Sequence, residues 1–85
     1  MTREEVLDRI REHLATELEV DPGRIDESTR FREDLEADSL DLVELVVELE
    51  DRYGIRMAED QAERIKTVGQ AVDFVLAQAP VNPTS

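Results

Sequence analysis

The chain has 85 residues and a formal net charge of −12, from 22 acidic and 10 basic side chains. A chain of this length forms one domain with a modest core, too small for a deep active site with supporting shells. Its charge repels nucleic acid and anionic membranes, and the absence of cysteine excludes disulfides and thiolate sites. No segment approaches the roughly 20 apolar residues that span a bilayer, and the N-terminus lacks a signal-peptide pattern. We therefore expect a cytoplasmic monomer.

The first predicted helix begins at a capping-box pattern formed by Thr2 and Glu5. Apolar residues then recur every three or four positions, which predicts one apolar stripe on a helix that ends near Glu19. They are Val6, Leu7, Ile10, Leu14 and Leu18.

A long segment without sustained periodicity follows, from residue 20 to residue 38. Three isolated apolar residues, Ile25, Phe31 and Leu35, are spaced along it. A flexible linker has no use for such side chains, so we predict an ordered loop that they pin to the core, with a helical turn near residues 32–35.

Three further helices are predicted. Helix two begins at Ser39 behind the cap Asp38 and ends near Tyr53, because Gly54 can take the left-handed closing conformation. A short helix three covers about residues 59–65. Helix four follows a second capping-box pattern, at Thr67 and Gln70. The predicted fold is therefore all-α: a small four-helix bundle of three main helices and one short third helix, with a long ordered loop between helices one and two.

Helix two is predicted to be apolar on two sides. At roughly 100° per residue, five residues form a core face: Leu42, Leu45, Val46, Leu49 and Tyr53. The opposite side, here called the outer face, has an apolar patch beside an acidic stripe: Leu40, Val43 and Val47, with Asp41, Glu44, Glu48 and Asp51. Such a patch is typical of a docking surface for basic partners. The alternatives are a covering helix or ordinary exposed apolar residues.

Ser39 lies in the first predicted turn of helix two, where free amides and the helix dipole favour a phosphate group, although Asp-Ser is also common capping usage. A catalytic nucleophile is not supported, because the G-x-S-x-G elbow is absent and the single histidine, His13, lies in the middle of helix one. An EF-hand loop starting at Asp34 places Ser39 at the position that requires glycine. We predict no catalytic residue and no intrinsic metal site.

Residues 37–75, "ADSLDLVELVVELEDRYGIRMAEDQAERIKTVGQAVDFV", resemble the core segment of acyl carrier proteins of type II (dissociated) fatty acid synthesis. The preceding "FREDLEADSLD" resembles the approach to the modification site of that family. The resemblance implies a non-enzymatic acyl carrier domain over residues 1–79 and a flexible tail over residues 80–85. It also implies a 4′-phosphopantetheine arm, derived from coenzyme A and attached covalently to Ser39, that carries growing fatty acyl chains as thioesters.

Two alternatives stay open beside the fatty acid carrier. One is a carrier for a polyketide or another specialised acyl pathway, which uses the same fold, serine and acidic helix. The more distant one is an acidic interaction module whose Ser39 is unmodified.

By the same resemblance, Asp38 helps to hold magnesium while the arm is loaded, and Leu40 adjoins the attachment point. The implied docking residues are Asp41, Val43, Glu44, Val47, Glu48 and Asp51 on helix two, with Met57 and Ala62 extending that surface on helix three. The implied partners meet them through basic patches. They are the holo-synthase (a phosphopantetheinyl transferase), malonyl transferase, ketosynthases, reductases, dehydratase and acyltransferases.

Acyl chains of the family can also fold back between the helices, into a cavity lined here by core residues that include Phe31, Leu49 and Val72. One position departs from the family pattern. The residue two before Asp38 is often glycine, and here it is Glu36. We expect the backbone at Glu36 to avoid positive φ and its carboxylate to add charge beside the loading site.

Overall fold

The computed structural model describes residues 2–78. Within that range no strand is formed, apart from one isolated bridge between Arg30 and Thr67, and no helix is long and apolar enough to cross a bilayer. The predicted all-α fold is confirmed, whereas the predicted tail at 80–85 lies outside the described residues. The helices are α1 Arg3–Leu18, α2 Ser39–Tyr53, α3 Glu59–Arg64 and α4 Val68–Gln78, with a 3₁₀ turn at Pro22–Arg24.

Helix α1 has the predicted bounds. The Thr2 hydroxyl accepts a hydrogen bond of 3.1 Å from the Glu5 amide, and the helix closes at Glu19 in a left-handed conformation, with φ 55°. One side of α1 is fully buried and packs on α4 and α2. Its buried residues are Val6, Ile10 and Leu14.

Helix α2 begins with a complete capping box. The Asp38 carboxylate accepts from the Asp41 amide at 2.9 Å, and the Asp41 carboxylate accepts from the Asp38 amide at 3.0 Å. The helix ends where Gly54 takes φ 64°, as its sequence predicts. These two ends fix the register of the helix and therefore which residues face the core.

The two C-terminal helices also begin at side-chain caps. The Gln61 side chain accepts from the Ala58 amide at 3.0 Å at the start of α3. At the start of α4, the Thr67 hydroxyl accepts from the Gln70 amide at 3.2 Å and the Gln70 carbonyl accepts from the Thr67 amide at 3.1 Å. Helix α4 then buries Val68, Gly69, Ala71, Val72 and Val75.

The loop between α1 and α2 is held by buried side chains and by backbone contacts with α4. Ile25 and Phe31 are buried, and Leu35 is partly buried against the core, as predicted. The Phe31 amide donates to the Lys66 carbonyl at 3.0 Å, and the Val68 amide donates to the Thr29 carbonyl at 2.9 Å. The loop therefore lies fixed across the start of α4.

Gly69 lies where the loop approaches helix α4 most closely. The Gly69 amide donates to the Glu27 carbonyl at 2.8 Å, and a Cβ at position 69 would lie 2.8 Å from that same oxygen. Any larger residue would push the loop away from α4.

The expectation that the backbone at Glu36 avoids positive φ is wrong. Glu36 has φ 55°, in the left-handed region. The reason is the helical turn before it, in which the Glu36 amide donates to the Arg32 carbonyl at 3.1 Å, followed by a bond of 2.9 Å from the Ala37 amide to the Phe31 carbonyl. A helical turn that closes in this way needs a left-handed residue. The backbone hydrogen bonds of this turn therefore determine φ at position 36. The side chain there affects only the free energy that the left-handed conformation costs.

We predict that Glu36→Gly stabilises the fold by about 0.5–1 kcal/mol. The left-handed conformation costs a residue with a Cβ about 1–2 kcal/mol, and part of this gain is offset by the greater freedom of glycine in the unfolded chain. Chemical denaturation measures the difference. Glu36→Ala is the matched control, because it removes the charge and keeps the Cβ. A gain from alanine equal to that from glycine would contradict the strain at this position.

Candidate functional site

Ser39 is the first residue of α2 and is exposed. Its hydroxyl oxygen accepts a hydrogen bond of 3.1 Å from Nη2 of Arg32, which lies in the turn before the helix. No pattern in the sequence indicates a role for Arg32, because only the fold brings Arg32 and Ser39 together across seven positions. The candidate attachment point is therefore an accessible hydroxyl beside a guanidinium group.

The carboxylate of Asp38 accepts a hydrogen bond of 2.9 Å from the Asp41 amide at the start of α2. The Asp41 amide, more than any other group, holds the pKa of the Asp38 carboxyl below its usual range. Asp38 therefore stays ionised at neutral pH and places a negative charge directly beside Ser39.

The outer face of α2 is exposed, as its apolar pattern predicts. Leu40, Val43 and Val47 are 64%, 56% and 48% exposed, whereas Leu45 and Leu49 on the core face are 3% and 1% exposed. Of the other core-face residues, Leu42 and Tyr53 pack against the core and Val46 is half-buried. The helix is thus apolar on two sides, and only one of them is covered within residues 2–78.

The prediction that Met57 belongs to the docking surface is wrong. Met57 is buried and precedes α3, in a segment where Ile55 and Met57 point inward and Arg56 and Ala58 point outward. This alternation of two is that of an extended chain. Its amide also donates to Glu50 at 2.8 Å. Ala62, by contrast, lies on α3 and is half-exposed.

The acidic stripe on the outer face is only slightly neutralised within residues 2–78. Glu48 pairs with Arg52 at 3.3 Å on the helix surface, an exposed contact of low energy. Carboxylate oxygens of Glu17 on α1, Asp41 and Glu44 lie within 4.8 Å of one another. A hydrogen bond with Glu17, followed by burial, raises the pKa of Glu44. Like charges are therefore crowded two residues from the candidate attachment point, Ser39.

Ser39 and its surroundings fit a covalently bound phosphodiester. The hydroxyl is accessible for bond formation, and the guanidinium of Arg32 is a donor group that matches phosphate oxygens.

Comparison with known proteins identifies the family. Residues 8–75 match the family model described as the phosphopantetheine attachment site. The chain is 51% identical over 76 residues to the acyl carrier protein of Rubrobacter xylanophilus, covering 89% of this chain and 94% of that protein. It is 47% identical over 75 residues to the acyl carrier protein of Lactobacillus acidophilus, covering 88% and 94%. The chain belongs to the acyl carrier protein family.

A solved structure supports the same assignment. The acyl carrier protein from Enterococcus faecalis, which is described in connection with high thermal stability, superposes with a TM-score of 0.80. It is 35% identical and covers 93% of this chain and 100% of its own. The four-helix arrangement is therefore that of an acyl carrier protein along nearly all of the chain.

The residues expected to line the acyl cavity of a carrier belong to the core in this structure. Phe31, Leu49 and Val72 are at most 1% exposed, and Leu35 and Ile65 pack against the hydrophobic core to which these residues belong. An acyl chain that enters between the helices must therefore displace well-packed side chains.

Crowding of carboxylates gives a pH-dependent prediction for this carrier. Because the pKa of Glu44 is raised, the folded protein holds this proton more tightly than the unfolded chain does. That contribution to stability is present below the usual glutamate range and is lost as pH rises through the raised pKa of Glu44. We therefore expect Glu17→Gln to raise the melting temperature at neutral pH, with little effect below about pH 4.

The measurement is thermal unfolding without divalent cations at both pH values, with the Glu44 side chain titrated by NMR. Glu63→Gln removes the same charge from α3 and serves as the control. An equal stabilisation by both variants at neutral pH, with the pKa of Glu44 unmoved in Glu17→Gln, would mean that net charge rather than this pair is responsible.

Proposed function

We propose that the chain is an acyl carrier of fatty acid synthesis, with a 4′-phosphopantetheine arm on Ser39. The observation that supports this most strongly is an exposed serine hydroxyl at the first turn of α2, inside the region that matches the phosphopantetheine attachment model. The thiol of the arm, when bound, holds acyl groups as thioesters. The lack of cysteine agrees with this, because no protein thiol competes for the acyl group.

In this proposal the chain supplies a hydroxyl and a surface, and a separate synthase supplies the catalysis. Loading forms a P–O bond to Oγ of Ser39 and breaks the pyrophosphate of coenzyme A. The nucleotide half of coenzyme A leaves, and the serine proton passes to the synthase. Asp38, ionised beside Ser39, is the carboxylate that we propose to help hold magnesium during this step.

We expect incubation with a holo-synthase, coenzyme A and magnesium to add a single phosphopantetheinyl group. Intact-mass spectrometry measures the addition, and fragmentation assigns it to a residue. Ser39→Ala should abolish it, whereas Ser28→Ala, at another exposed serine, should leave it unchanged. No addition would favour the acidic interaction module, and an addition that persists in Ser39→Ala would exclude Ser39 as the attachment point.

We also propose that the outer face of α2 binds the partner enzymes. Its exposed apolar centre offers modest and reversible affinity, and its acidic stripe attracts basic patches over a distance. Ala62 extends this surface on α3, and Leu40 offers an apolar contact next to Ser39. The partners are the holo-synthase and the transferases, ketosynthases, reductases and dehydratase of the pathway.

Reversing two charges on this face should slow association with the holo-synthase. For the double variant Glu44→Lys and Glu48→Lys, we expect the association rate to fall about tenfold or more at low salt, because electrostatic steering is lost. Rising salt should lower the association rate of the parent protein toward that of the double variant, because dissolved ions screen the attraction between charges. Stopped-flow or surface plasmon resonance kinetics measure these rates.

The matched control reverses two exposed acids at the ends of α1, Glu4→Lys and Glu19→Lys, which changes the net charge equally. If the outer face of α2 steers association, this control variant should associate nearly as fast as the parent protein. Equal slowing by both double variants would assign the effect to net charge alone.

Fatty acid synthesis is the pathway that we propose, in preference to a polyketide or another specialised pathway. The acyl groups carried by protein purified from its native host distinguish these pathways.

A further inference from the structure

The Asp41 amide at the start of α2 is already engaged, which matters for any anion at Ser39. A helix start attracts phosphate because its amides lack acceptors. Here the Asp38 carboxylate accepts from the Asp41 amide at 2.9 Å. A phosphodiester on Ser39 therefore adds a second negative charge beside Asp38, at a place where this amide already has a partner.

Arg32 is the cationic group in contact with this position. Its Nη2 lies 3.1 Å from Oγ of Ser39, and Arg32 takes part in none of the ion pairs within residues 2–78. Arg30, two residues earlier, is by contrast paired with Glu33 at 3.3 Å and Asp34 at 3.1 Å. The guanidinium of Arg32 is thus available at the atom where the phosphate would be joined.

Buried neighbours and backbone hydrogen bonds on both sides of Arg32 fix its position in the chain. Phe31 and Ala37 are buried, and the Ala37 amide donates to the Phe31 carbonyl at 2.9 Å. The Arg32 carbonyl accepts from the Glu36 amide in the intervening turn. This small closed loop holds the backbone of Arg32 across from the first turn of α2.

We propose that Arg32 binds the phosphodiester on Ser39 and positions the root of the prosthetic arm. Once Oγ is esterified, it is a poorer acceptor, and the charged phosphate oxygens lie only two bonds away from it. A guanidinium group donates to such oxygens more strongly than to a hydroxyl. Arg32 forms and breaks no bond in this role. The inference rests on the proposed attachment at Ser39.

NMR of the loaded protein tests this role directly. Between the unloaded and the loaded parent protein, the Arg32 Nε–H signal should shift and its exchange with water should slow. The ³¹P signal of the folded, loaded parent should differ from that of the same protein in denaturant. In Arg32→Ala it should move toward the denatured value, and Arg32→Lys should retain part of the difference, because lysine keeps the charge without the planar donor geometry.

Arg24→Ala is the control, because it removes an equal charge from the exposed 3₁₀ turn, and it should leave the ³¹P signal at the parent value. Identical ³¹P signals in Arg32→Ala and the parent, with no change of Arg32 Nε–H on loading, would overturn the role of Arg32 alone.

Absence of any phosphodiester signal in the parent would overturn the attachment at Ser39, and with it this inference. Should the synthase fail to load Arg32→Ala, the Arg32 Nε–H signal of the parent before and after loading decides the matter, because that comparison needs no variant.

Discussion

The capping box between Asp38 and Asp41 is the interaction on which the arrangement of this carrier depends. It fixes the first residue of α2, and a helix that starts at Ser39 turns about 100° per residue from there. In this helix the Ser39 hydroxyl and Leu40 are exposed, whereas Leu45 and Leu49 are buried. A start one residue later would place Ser39 outside the first turn of the helix.

This start is itself held in place by contacts made far along the chain. The loop before it is bonded through Thr29 and Phe31 to the residues that open α4, and Gly69 lets Glu27 approach that helix closely. Arg3 adds a charged link from α1, because it pairs with both Glu27 and Asp73. The candidate attachment point Ser39 thus follows a loop that is held in one conformation by contacts with α1 and α4.

Local sequence signals predicted the helices, but not the conformation of Glu36, the burial of Met57 or the contact between Arg32 and Ser39. Caps at Asp38 and Thr67 and the periodic apolar residues predict the helix bounds, because each depends on neighbours within four positions. The conformation of Glu36 depends instead on how a turn closes, and the burial of Met57 depends on an extended segment after Gly54. The contact between Arg32 and Ser39 requires the folded loop, and no periodicity in the sequence indicates it.

The placement of the basic residues explains how a protein with charge −12 keeps one face strongly acidic. Within residues 2–78, Arg3, Arg9, Arg11 and Arg30 pair with acids of α1, α4 and the loop, and only Arg52 pairs with an acid of the outer face. These ion pairs thus stabilise α1, α4 and the loop, and most acids of the outer face have no basic partner within residues 2–78. The carboxylates of Glu17 and Glu44 repel each other as a consequence. A surface whose acids were already paired would have little field left to attract a basic partner. The crowded carboxylates are therefore a destabilising feature that a docking function would explain.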